Sequence, residues 1–380
     1  MLSIASIELH DFRNYREFSL GLSDEVTIIV GKNGLGKTNI IEALELLTLL
    51  DSFRNPAWDE VVRWNKNCAR ATLRLSGDGR NLDCSLLIEE GRRQYRLNDK
   101  RKNTAELRGL MPSVLFTPDN LQLVKGSAEQ RRDAIDLVGV QLSRTYARIR
   151  SDYQKIIRNK NRIFKEDTID REVLMSWNDN LVEVASMFLA HRIQLFAAME
   201  TEVSRIYGAL VPDEQLDAAY YPSWVKEKDD FNREHAEQII SSDREAIRNR
   251  LSVEIAARME DEIIRRRCIV GPHRDEVVFY LNGRDARRYG SQGQMRTIAL
   301  AWKIAEVEVI TKIHSQRPVL LLDDVMSELD EHRRGALIEY LAGKVQTVIT
   351  TTNLQYFDPD FIESAYIVDL AEMLERTATP

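Results

Sequence analysis

Cysteine is scarce in this chain. Among 380 residues there are three cysteines, Cys68, Cys84 and Cys268, and no two of them form a Cys-x-x-Cys pair. Zinc sites and disulfide frameworks need such pairs or closely spaced sets. We therefore expect reduced, partly buried thiols, and neither a zinc site nor a disulfide scaffold.

Long apolar runs and a leader segment are also missing. No apolar run approaches the roughly 20 residues that a helix needs to cross a bilayer. Residues 1–9 alternate like a strand and lack the basic start and apolar centre of a signal peptide. These observations predict a cytoplasmic protein that has no membrane partner.

A surplus of positive charge is missing as well. The chain has 53 Lys and Arg against 60 Asp and Glu, a formal net charge of −7. This balance argues against charge-driven coating of nucleic acid over the whole surface. Any contact with nucleic acid must come from local basic patches, and its affinity must fall with salt.

The order of predicted elements divides the chain into three stretches. The length predicts two lobes or more, and 43% hydrophobic residues suffice for real cores. The first third is strand-rich, and residues from about 142 to 262 are predicted to be helical, with a loop between helical stretches marked by Pro212, Pro222 and the acidic pair Asp229-Asp230. This order favours an α/β nucleotide-binding core split by a helical insertion. Strands are predicted at 26–30, 82–88, 277–281, 319–322 and 345–350, with hairpin turns at 77–79 and 90–91.

One segment matches the phosphate-binding pattern GxxxxGK[ST]. Its glycines let backbone N–H groups turn toward phosphates, and the helix that follows directs its N-terminal dipole at them. Lys37 is predicted to reach the β- and γ-phosphates of ATP, and the Thr38 hydroxyl to bind Mg²⁺. A chance glycine-rich turn is the alternative, but a predicted strand before the segment and a predicted helix after it favour nucleotide binding. The segment consists of Gly31, Lys32, Asn33, Gly34, Leu35, Gly36, Lys37 and Thr38.

Two carboxylates follow the predicted strand 319–322. Asp323 is placed to hold Mg²⁺, directly or through water. Asp324 is predicted to orient or deprotonate the water that attacks ATP. A strand with a solvated acidic end is a common alternative, and this motif becomes specific only in combination with the phosphate-binding segment.

A second phosphate-reading segment is predicted shortly before the acidic strand. Compact P-loop enzymes rarely separate their two motifs as widely as this chain does, whereas ABC-type ATPases do. Ser291, Gly293 and Gln294 open a predicted helix, where a hydroxyl and backbone N–H groups form an anion site. In ABC proteins this site binds the γ-phosphate held by the other protomer, so that ATP joins two heads. An ordinary N-capped helix explains Ser291 equally well, but not its position.

Two basic clusters stand out on this acidic chain. One includes Arg92 and Arg93 in a predicted hairpin. The other is a stripe on one face of a predicted helix, opposite an apolar face that includes Tyr146 and Tyr153. Phosphate contact with DNA is the hypothesis for both, and an ordinary solvated surface is the alternative. The helical stripe consists of Arg144, Arg148, Lys155, Arg158, Arg162 and Lys165.

Several further segments run in a fixed order across nearly the whole chain. In that order they resemble the RecF family of SMC-like ABC ATPases, and the combination is highly specific. The segments are FRNY (12–15), KTNIIEA (37–43), SFR (52–54), FTPDNL (116–121) with KGS (125–127) and the Arg131–Arg132 pair, GPHRD (271–275), SQGQMRTIAL (291–300) and LDDVMSELD (322–330).

The resemblance implies a fold. It is an α/β, ABC/SMC-like P-loop ATPase head with a mixed sheet in lobe I, a mostly helical lobe II and no long coiled coil. We expect residues 1–112 to form lobe I with the P-loop. Residues 113–314 would form lobe II, ending in the helix that Ser291 opens, and residues 315–380 would return to lobe I.

The resemblance also implies a function. Members of the family bind ATP with Mg²⁺, dimerise on ATP, bind DNA and leave it after hydrolysis. With RecR directly, and with RecO and RecA indirectly, they serve repair, stalled replication and the SOS response at single-stranded gaps in duplex DNA. Arg54 becomes a further candidate DNA contact, because SMC heads carry arginine in a similar loop.

Some residues depart from the family or from wider ABC proteins. Ala128 follows Ser127 where the family has proline, and the helical insertion is poorly matched. Thr351, Thr352 and Asn353 stand where ABC proteins often keep a switch histidine. Asp324 is shorter than the usual glutamate base, as in the family itself. We therefore expect hydrolysis slower than the roughly 10 per second typical of enzymes.

Three other functions are compatible with parts of this pattern. An OLD-type nuclease needs a metal-binding acidic domain after the ATPase core, and the few residues after Tyr366 leave no room for it. A transporter ATPase subunit would lack the FRNY-like and GPHRD segments. A structural SMC-like DNA clamp with negligible turnover remains the alternative, because binding and hydrolysis use the same motifs. The glutamine of a Q-loop is not identified, although Gln122 is a candidate.

Overall fold

The computed structural model describes residues 1–225, 232–314, 316–341 and 343–378. The chain folds into two compact units. The first consists of Met1–Asn120 and Ile310–Pro380, and the second of Leu121–Val309. The second unit begins at residue 121 and not at the expected 113, because the strand that starts at Ser113 pairs within the first unit. It ends at residue 309 and not at the expected 314.

Strands and helices alternate along the chain. The strands are β1 (Ser3–Phe12), β2 (Tyr15–Gly21), β3 (Val26–Val30), β4 (Cys68–Gly77), β5 (Arg80–Glu89), β6 (Arg92–Leu97), β7 (Lys100–Lys102), β8 (Ser113–Phe116), β9 (Leu216–Tyr221), β10 (Glu276–Leu281), β11 (Arg284–Asp285), β12 (Val319–Asp323), β13 (Thr347–Thr351) and β14 (Tyr366–Asp369). The helices are α1 (Lys37–Thr48), α2 (Trp58–Val61), α3 (Thr104–Leu107), α4 (Ala128–Leu142), α5 (Arg144–Ile163), α6 (Arg171–Leu210), α7 (Arg233–Ile240), α8 (Arg244–Ala257), α9 (Met259–Arg265), α10 (Ala286–Tyr289), α11 (Gln292–Ile313), α12 (Glu331–Leu341), α13 (Pro359–Ser364) and α14 (Leu370–Ala378).

An antiparallel sheet forms one layer of the first unit. Its strand order is β2-β1-β4-β5-β6-β7. The turn between β4 and β5 has positive φ at Asp78 (53°) and Gly79 (69°), as a tight two-residue hairpin requires. Glu90 and Gly91 form a similar turn between β5 and β6. The hairpins predicted at these two places are therefore confirmed.

A five-stranded parallel sheet forms the other layer of the first unit. Its order is β14-β3-β13-β12-β8, so β3 from the N-terminal part of the chain lies between two strands from its C-terminal part. Val26–Val30, Val319–Asp323 and Thr347–Thr351 lie side by side, close to the predicted boundaries. In a parallel sheet the carboxyl ends of all strands reach the same edge. The loops after β3, β12 and β13 therefore meet there.

Helix α1 is buried between these two sheets. Its apolar side chains, among them Ile40, Leu44 and Leu47, share one core with Leu73 and Leu86 of the antiparallel sheet. Ile29, Leu321 and Val348 of the parallel sheet complete this core. A helix with apolar side chains on every side needs such burial, even though α1 also buries Glu42 and Glu45. The predicted helix after the P-loop is thus the central element of the first unit.

Two glutamine side chains join the layers, because each forms the pair of hydrogen bonds that a neighbouring strand would form with one backbone residue. Gln316 accepts a hydrogen bond from the Leu2 N–H (2.9 Å) and donates to the Leu2 carbonyl (2.6 Å). Gln346 repeats the pattern on Ile4, at 2.8 Å for both bonds. These bonds satisfy the backbone of Leu2 and Ile4, which has no strand partner on this side among the residues that the structure describes.

The second unit is mostly helical, as predicted, but it also contains a three-stranded antiparallel sheet. Its order is β11-β10-β9. The loop predicted between the helical stretches, whose Asp229 and Asp230 lie outside the described residues, contains a strand, because Leu216–Tyr221 forms β9. All of its side chains are buried, so no alternation of polar and apolar residues marked it as a strand.

Helices α5 and α6 form the core of the second unit. The predicted apolar face of α5 is confirmed, since Tyr146, Ile149 and Tyr153 are buried. Helix α6 is the one helix in the described part of the chain that is long and apolar enough to cross a membrane. Within its most apolar stretch, 56% is buried in the protein, as in a core helix.

The three thiols form no disulfide. Cys84 and Cys268 are buried, and burial raises the pKa of each to about 12, so both stay protonated. Cys68 is exposed, contrary to the expectation that all three would be partly buried.

A fully buried ion pair links α5 to α9. Lys160 Nζ lies 2.5 Å from a carboxylate oxygen of Glu262, and neither side chain is exposed to solvent. The other oxygen of Glu262 accepts a hydrogen bond from the Ile269 N–H (2.8 Å). A buried charge is tolerated only while it is paired. This pair therefore fixes how the two helices pack.

We predict that Lys160→Met destabilises the protein by about 3–5 kcal/mol, because it leaves the Glu262 carboxylate buried and unpaired. Urea unfolding measures this change. The exposed Lys155, which pairs with Asp152, provides a matched control, and Lys155→Met should cost less than about 1 kcal/mol. Adding Glu262→Gln to Lys160→Met should restore most of the stability, since the amide oxygen still accepts from Ile269. An equal loss in the single and double variants would contradict the role of the charge.

Candidate nucleotide site and basic surfaces

The P-loop, residues 31–38, connects β3 to α1 in the first unit. Gly34 and Gly36 have φ of 85° and 106°, a region that L side chains avoid. A Cβ on Gly36 would lie 2.6–2.8 Å from side-chain atoms of Asn14 and Tyr15. Glycine is thus required at position 36 by its backbone angles and by its neighbours. Those neighbours belong to the FRNY segment, whose proximity to the P-loop the sequence did not reveal.

The side chain of Lys37 folds back over the P-loop. Its Nζ donates to the carbonyl oxygens of Gly31 (2.6 Å) and Lys32 (3.1 Å). Burial lowers the pKa of Lys37, while the nearby carboxylates of Asp324 and Asp323 oppose that shift. The ammonium group is therefore held where the predicted phosphates of ATP would be bound.

Asp323 comes to the P-loop from the end of β12. Its Oδ1 accepts hydrogen bonds from Thr38 Oγ1 (3.1 Å) and from Thr350 Oγ1 (2.7 Å). Thr38 and Asp323 are 285 residues apart in sequence, and the sheet edge brings them together. Burial raises the pKa of Asp323, and the hydroxyls of Thr350 and Thr38 counteract this shift.

A hydroxyl and a carboxylate side by side are the hard oxygen ligands that Mg²⁺ prefers, together with phosphate and water. The residues present therefore fit the predicted magnesium ion. In the described residues, no group of three or more His, Cys, Asp or Glu side chains is placed to hold a metal. A site made from Thr38 and Asp323 does not need one, because nucleotide and water complete the coordination.

Asp324 has an unusual backbone. Its φ of 52° places it in the left-handed region, and its N–H donates to both the carbonyl and the hydroxyl of Thr350. Its Oδ1 is buried and has no hydrogen-bond partner among the described residues. Burial raises the pKa of Asp324, and the Lys37 ammonium opposes this shift. A buried, unsatisfied carboxylate oxygen beside the P-loop lysine fits a group that would hold the attacking water.

A network of side chains lies behind the P-loop. Asn14 Nδ2 donates to the Leu35 carbonyl (3.1 Å), and Asn39 Nδ2 donates to Asn14 Oδ1 (2.8 Å). Arg54 Nη1 in turn donates to Asn39 Oδ1 (2.7 Å) and to Glu42 (3.1 Å). The SFR loop is thereby connected to the P-loop through hydrogen bonds.

Glu42 anchors this network from the centre of α1. Its side chain is fully buried and accepts two hydrogen bonds from the Arg13 guanidinium (2.9 and 2.7 Å) and one from Ser52 Oγ (2.9 Å). Arg54 is about one-third exposed, so it is both a network member and an accessible cation. Sequence reasoning gave Arg13, Asn14, Asn39 and Glu42 no role in the site. Their presence in the FRNY and KTNIIEA segments was the signal that could have identified them.

The residues after β13 also reach the P-loop. The Gly31 N–H donates to the Thr351 carbonyl (3.2 Å), and Thr351 Oγ1 accepts from the Asn353 N–H (3.2 Å). Thr351, Thr352 and Asn353 therefore occupy the position of the switch histidine of ABC proteins, and none of them has an imidazole.

The signature segment, residues 291–294, lies in the second unit at the start of α11. Ser291 Oγ accepts from the Gln294 N–H (3.1 Å), and Gln294 Oε1 accepts from the Ser291 N–H (2.7 Å). This is a capping box. Gln294 Nε2 also donates to Glu214 (2.7 Å). Gly293 lies within the first turn, and the predicted apolar stripe of α11 (Ile298, Trp302, Ala305 and Val309) is buried. The N-capped helix is thus present, and its role toward ATP stays a prediction.

The predicted DNA-binding residues differ in their surroundings. Arg148, Arg158 and Arg162 are exposed on one side of α5. Arg92 and Arg93 are both exposed on β6, and Arg93 also stacks its guanidinium 4.6 Å from the Trp58 ring centre and donates to the Leu50 carbonyl. Arg93 therefore has a structural role that the sequence did not indicate. Gln122, the candidate Q-loop residue, is exposed just after β8.

Comparison with known proteins identifies relatives over nearly the full length. The family model "RecF/RecN/SMC N terminal domain" matches residues 3–360. A Heliobacterium modesticaldum protein named "DNA replication and repair protein RecF" is 37% identical over 373 residues, covering 96% of each chain. Its Bacillus subtilis counterpart of the same name is 34% identical over 369 residues, covering 95% of this chain and 96% of its own.

Solved structures agree with this result. A structure described as the recombination mediator protein RecF-ATPrS in the RecFOR pathway has a TM-score of 0.84 and 27% identity, covering 94% of each chain. The Smc head domain from Pyrococcus furiosus with an extended coiled coil, bound to the C-terminal domain of ScpA, has a TM-score of 0.54 and 16% identity, covering 99% of this chain and 98% of its own, and it supports the fold alone. The predicted ABC/SMC-like head is thereby confirmed, and the chain belongs to the RecF family.

Proposed function

We propose that this chain is an ATP-binding protein of DNA replication and repair that acts in the RecFOR pathway. The observation that carries the proposal is the convergence of Lys37, Thr38, Asp323 and Asp324 at one edge of the parallel sheet. Two relatives carry replication and repair in their names, and one structural neighbour is described as RecF-ATP in that pathway. Mg²⁺ is the expected second cofactor, held by Thr38 and Asp323.

The finer mechanism is that of an ATP-dependent switch. ATP bound at the P-loop of one protomer would be met by Ser291, Gly293 and Gln294 of a second copy. Helix N-termini attract phosphate, which supports this role for α11. The dimer would hold DNA, and slow hydrolysis through Asp324 would release it. Together with RecR, and indirectly RecO, the protein would help to load RecA at single-stranded gaps in duplex DNA.

The exposed stripe on α5 is the surface that best fits a DNA backbone. It carries cations in an otherwise acidic protein, and the opposite face of α5 is buried in the second unit. Arg54 and Arg92 are further candidate contacts in the first unit, whereas the stacking of Arg93 on Trp58 makes it a weaker one. A structural DNA clamp with negligible turnover is the second candidate function.

The first measurement is ATP turnover without DNA, with plain duplex and with gapped duplex, at one salt concentration. We predict stimulation by DNA, largest on the gapped substrate. Asp324→Asn should keep ATP binding and lose at least tenfold in turnover, since it removes the group that would activate water. If no DNA stimulates turnover, the structural clamp becomes the better description, while ATP binding would be unaffected.

A second test concerns the partner's ATP. Ser291→Asp keeps a good N-cap but places a carboxylate where a γ-phosphate would bind. We predict that this variant still binds ATP as a monomer and loses ATP-dependent dimerisation by at least tenfold in Kd, as measured by light scattering in the Asp324→Asn background. Ser291→Asn caps equally well without charge and is the matched control. Dimerisation that survives in both variants argues against the signature role.

A third test concerns the stripe on α5. Neutralising Arg148, Arg158 and Arg162 together to glutamine should weaken DNA binding and lower the slope of log K against log salt by about two to three. Fluorescence anisotropy at several salt concentrations measures both. ATP binding serves as the internal control, because the P-loop is in the other unit. An unchanged affinity and slope would refute the hypothesis that this face of α5 contacts DNA.

A further inference from the structure

The GPHRD segment and the Arg131–Arg132 pair take no part in the nucleotide site, yet they meet in the second unit. Arg131 is buried, pairs with Glu276 (2.9 Å) and donates to three carbonyls of the loop 123–126. Arg132 Nη1 donates to the Asp275 carbonyl (2.5 Å). These two segments of the family pattern, far apart in sequence, therefore form one structure.

The interior of the GPHRD segment is held by buried hydrogen bonds. The His273 ring lies with Nδ1 2.5 Å from Tyr153 Oη and Nε2 3.2 Å from the Cys268 carbonyl. A carbonyl only accepts, so Nε2 carries a proton. Burial lowers the pKa of His273 to about 3, so the ring is neutral and Nδ1 accepts from the tyrosine. Gly271 has φ of 128°, and a Cβ there would approach Tyr153 Oη to 2.9 Å. His273 is thus a neutral, structural member of the segment.

Asp275 completes this frame. Its carboxylate accepts from Tyr220 Oη (2.6 Å) and from the Ser223 N–H (2.8 Å). Burial raises the pKa of Asp275 to about 6, against the opposing effect of the Arg192 guanidinium. So much buried polar structure fixes the short segment rigidly and sets the position of its exposed member, Arg274.

A surface cavity of about 310 Å³ opens beside this frame. It lies entirely within the second unit, between α4, α5 and the GPHRD segment. Its polar lining includes Arg132, Arg150, Arg274, Gln154, Glu129 and Asp133. Arg150 is neutralised by Asp133 (3.0 Å) and Asp136 (3.1 Å).

Arg132 and Arg274 differ from Arg150. Arg274 donates to the Cys268 carbonyl (3.3 and 3.2 Å), as Arg132 donates to the Asp275 carbonyl. Within the part of the chain that the structure describes, neither guanidinium pairs with a carboxylate. Two guanidinium groups held at one cavity by carbonyls keep their charge and several N–H donors for an outside anion.

We propose that this cavity binds a phosphate group, and that the phosphate belongs to a DNA backbone. The inference rests on the proposed function for its source of phosphate. Arginine forks match the geometry of phosphate oxygens, and Gln154 adds a neutral donor. The cavity is walled by α5, the helix that also carries the exposed basic stripe. The hydrogen bonds of the GPHRD segment then hold Arg274 in position to contact the DNA backbone.

Arg274→Gln tests the proposal, because Arg274 is exposed and its loss leaves the buried bonds of His273 and Asp275 in place. We predict a loss of about tenfold in affinity for gapped duplex, the size of one charge-assisted hydrogen bond, and a salt slope lower by about one. Arg274→Lys keeps the charge without the fork and should lose less. Arg250→Gln removes an equal charge on α8, away from the cavity, and should change neither quantity.

Calorimetry with inorganic phosphate, at saturating ADP and Mg²⁺ to fill the P-loop, separates the two sources. One outcome is that the wild type binds phosphate, Arg274→Gln abolishes this binding and the affinity for DNA stays the same. This result would assign the cavity to a free phosphate and refute the DNA source. Equal DNA affinity and equal phosphate binding in the wild type, Arg274→Gln and Arg250→Gln would overturn the site. A wild type that binds no DNA in any nucleotide state would refute the proposed function instead, and the phosphate titration would still test the cavity.

Discussion

The first unit depends on one constraint, the common edge at which the parallel strands end. β3, β12 and β13 come from distant parts of the chain, and their register places the P-loop, Asp323 and Thr350 next to one another. A slip of one residue in any of these strands would turn every side chain to the other face of the sheet. The hydrogen bond from Thr38 to Asp323 is a direct result of that register, and the position of Lys37 relative to Asp324 follows from it.

Helix α1 follows the P-loop and is buried between the two sheets, and this burial explains the network behind the P-loop. A helix packed between two sheets has no solvent-facing side, so the carboxylate of Glu42 must find partners in the interior. Arg13 and Arg54 supply them from two different loops. Through its bonds to Arg13 and Arg54, the buried carboxylate of Glu42 thus connects the FRNY segment, the SFR loop and the P-loop. A substitution at Glu42 would disturb all three, although it contacts no predicted ligand.

Much of this architecture could be predicted from the sequence, because its motifs are local. The P-loop, the acidic strand and both hairpins are short patterns with one physical meaning each, and they lie where they were expected. β9 was not predicted, since it shows no alternation and, unlike the Val- and Ile-rich β3, it contains an aspartate and two alanines, which are depleted in strands. The pairing of Arg13 with Glu42, and that of Arg132 with the Asp275 carbonyl, join segments far apart in sequence. No single-sequence pattern encodes such contacts. Nor could the stacking of Arg93 on Trp58 be inferred from a run of basic residues.

The insertion of the second unit into the first has a consequence for biosynthesis. β3 is made early, yet its neighbour β13 begins at Thr347, near the end of the chain. At about 5–20 residues per second, the ribosome needs on the order of tens of seconds to produce the strand that β3 must pair with. During that interval β3 lacks its parallel neighbours, and α1 is covered on one side only, by the antiparallel sheet. Residues 121–309 can by then close their own core. We therefore expect the second unit to close before the parallel sheet is complete, and β3 and the uncovered side of α1 to stay exposed to aggregation until then.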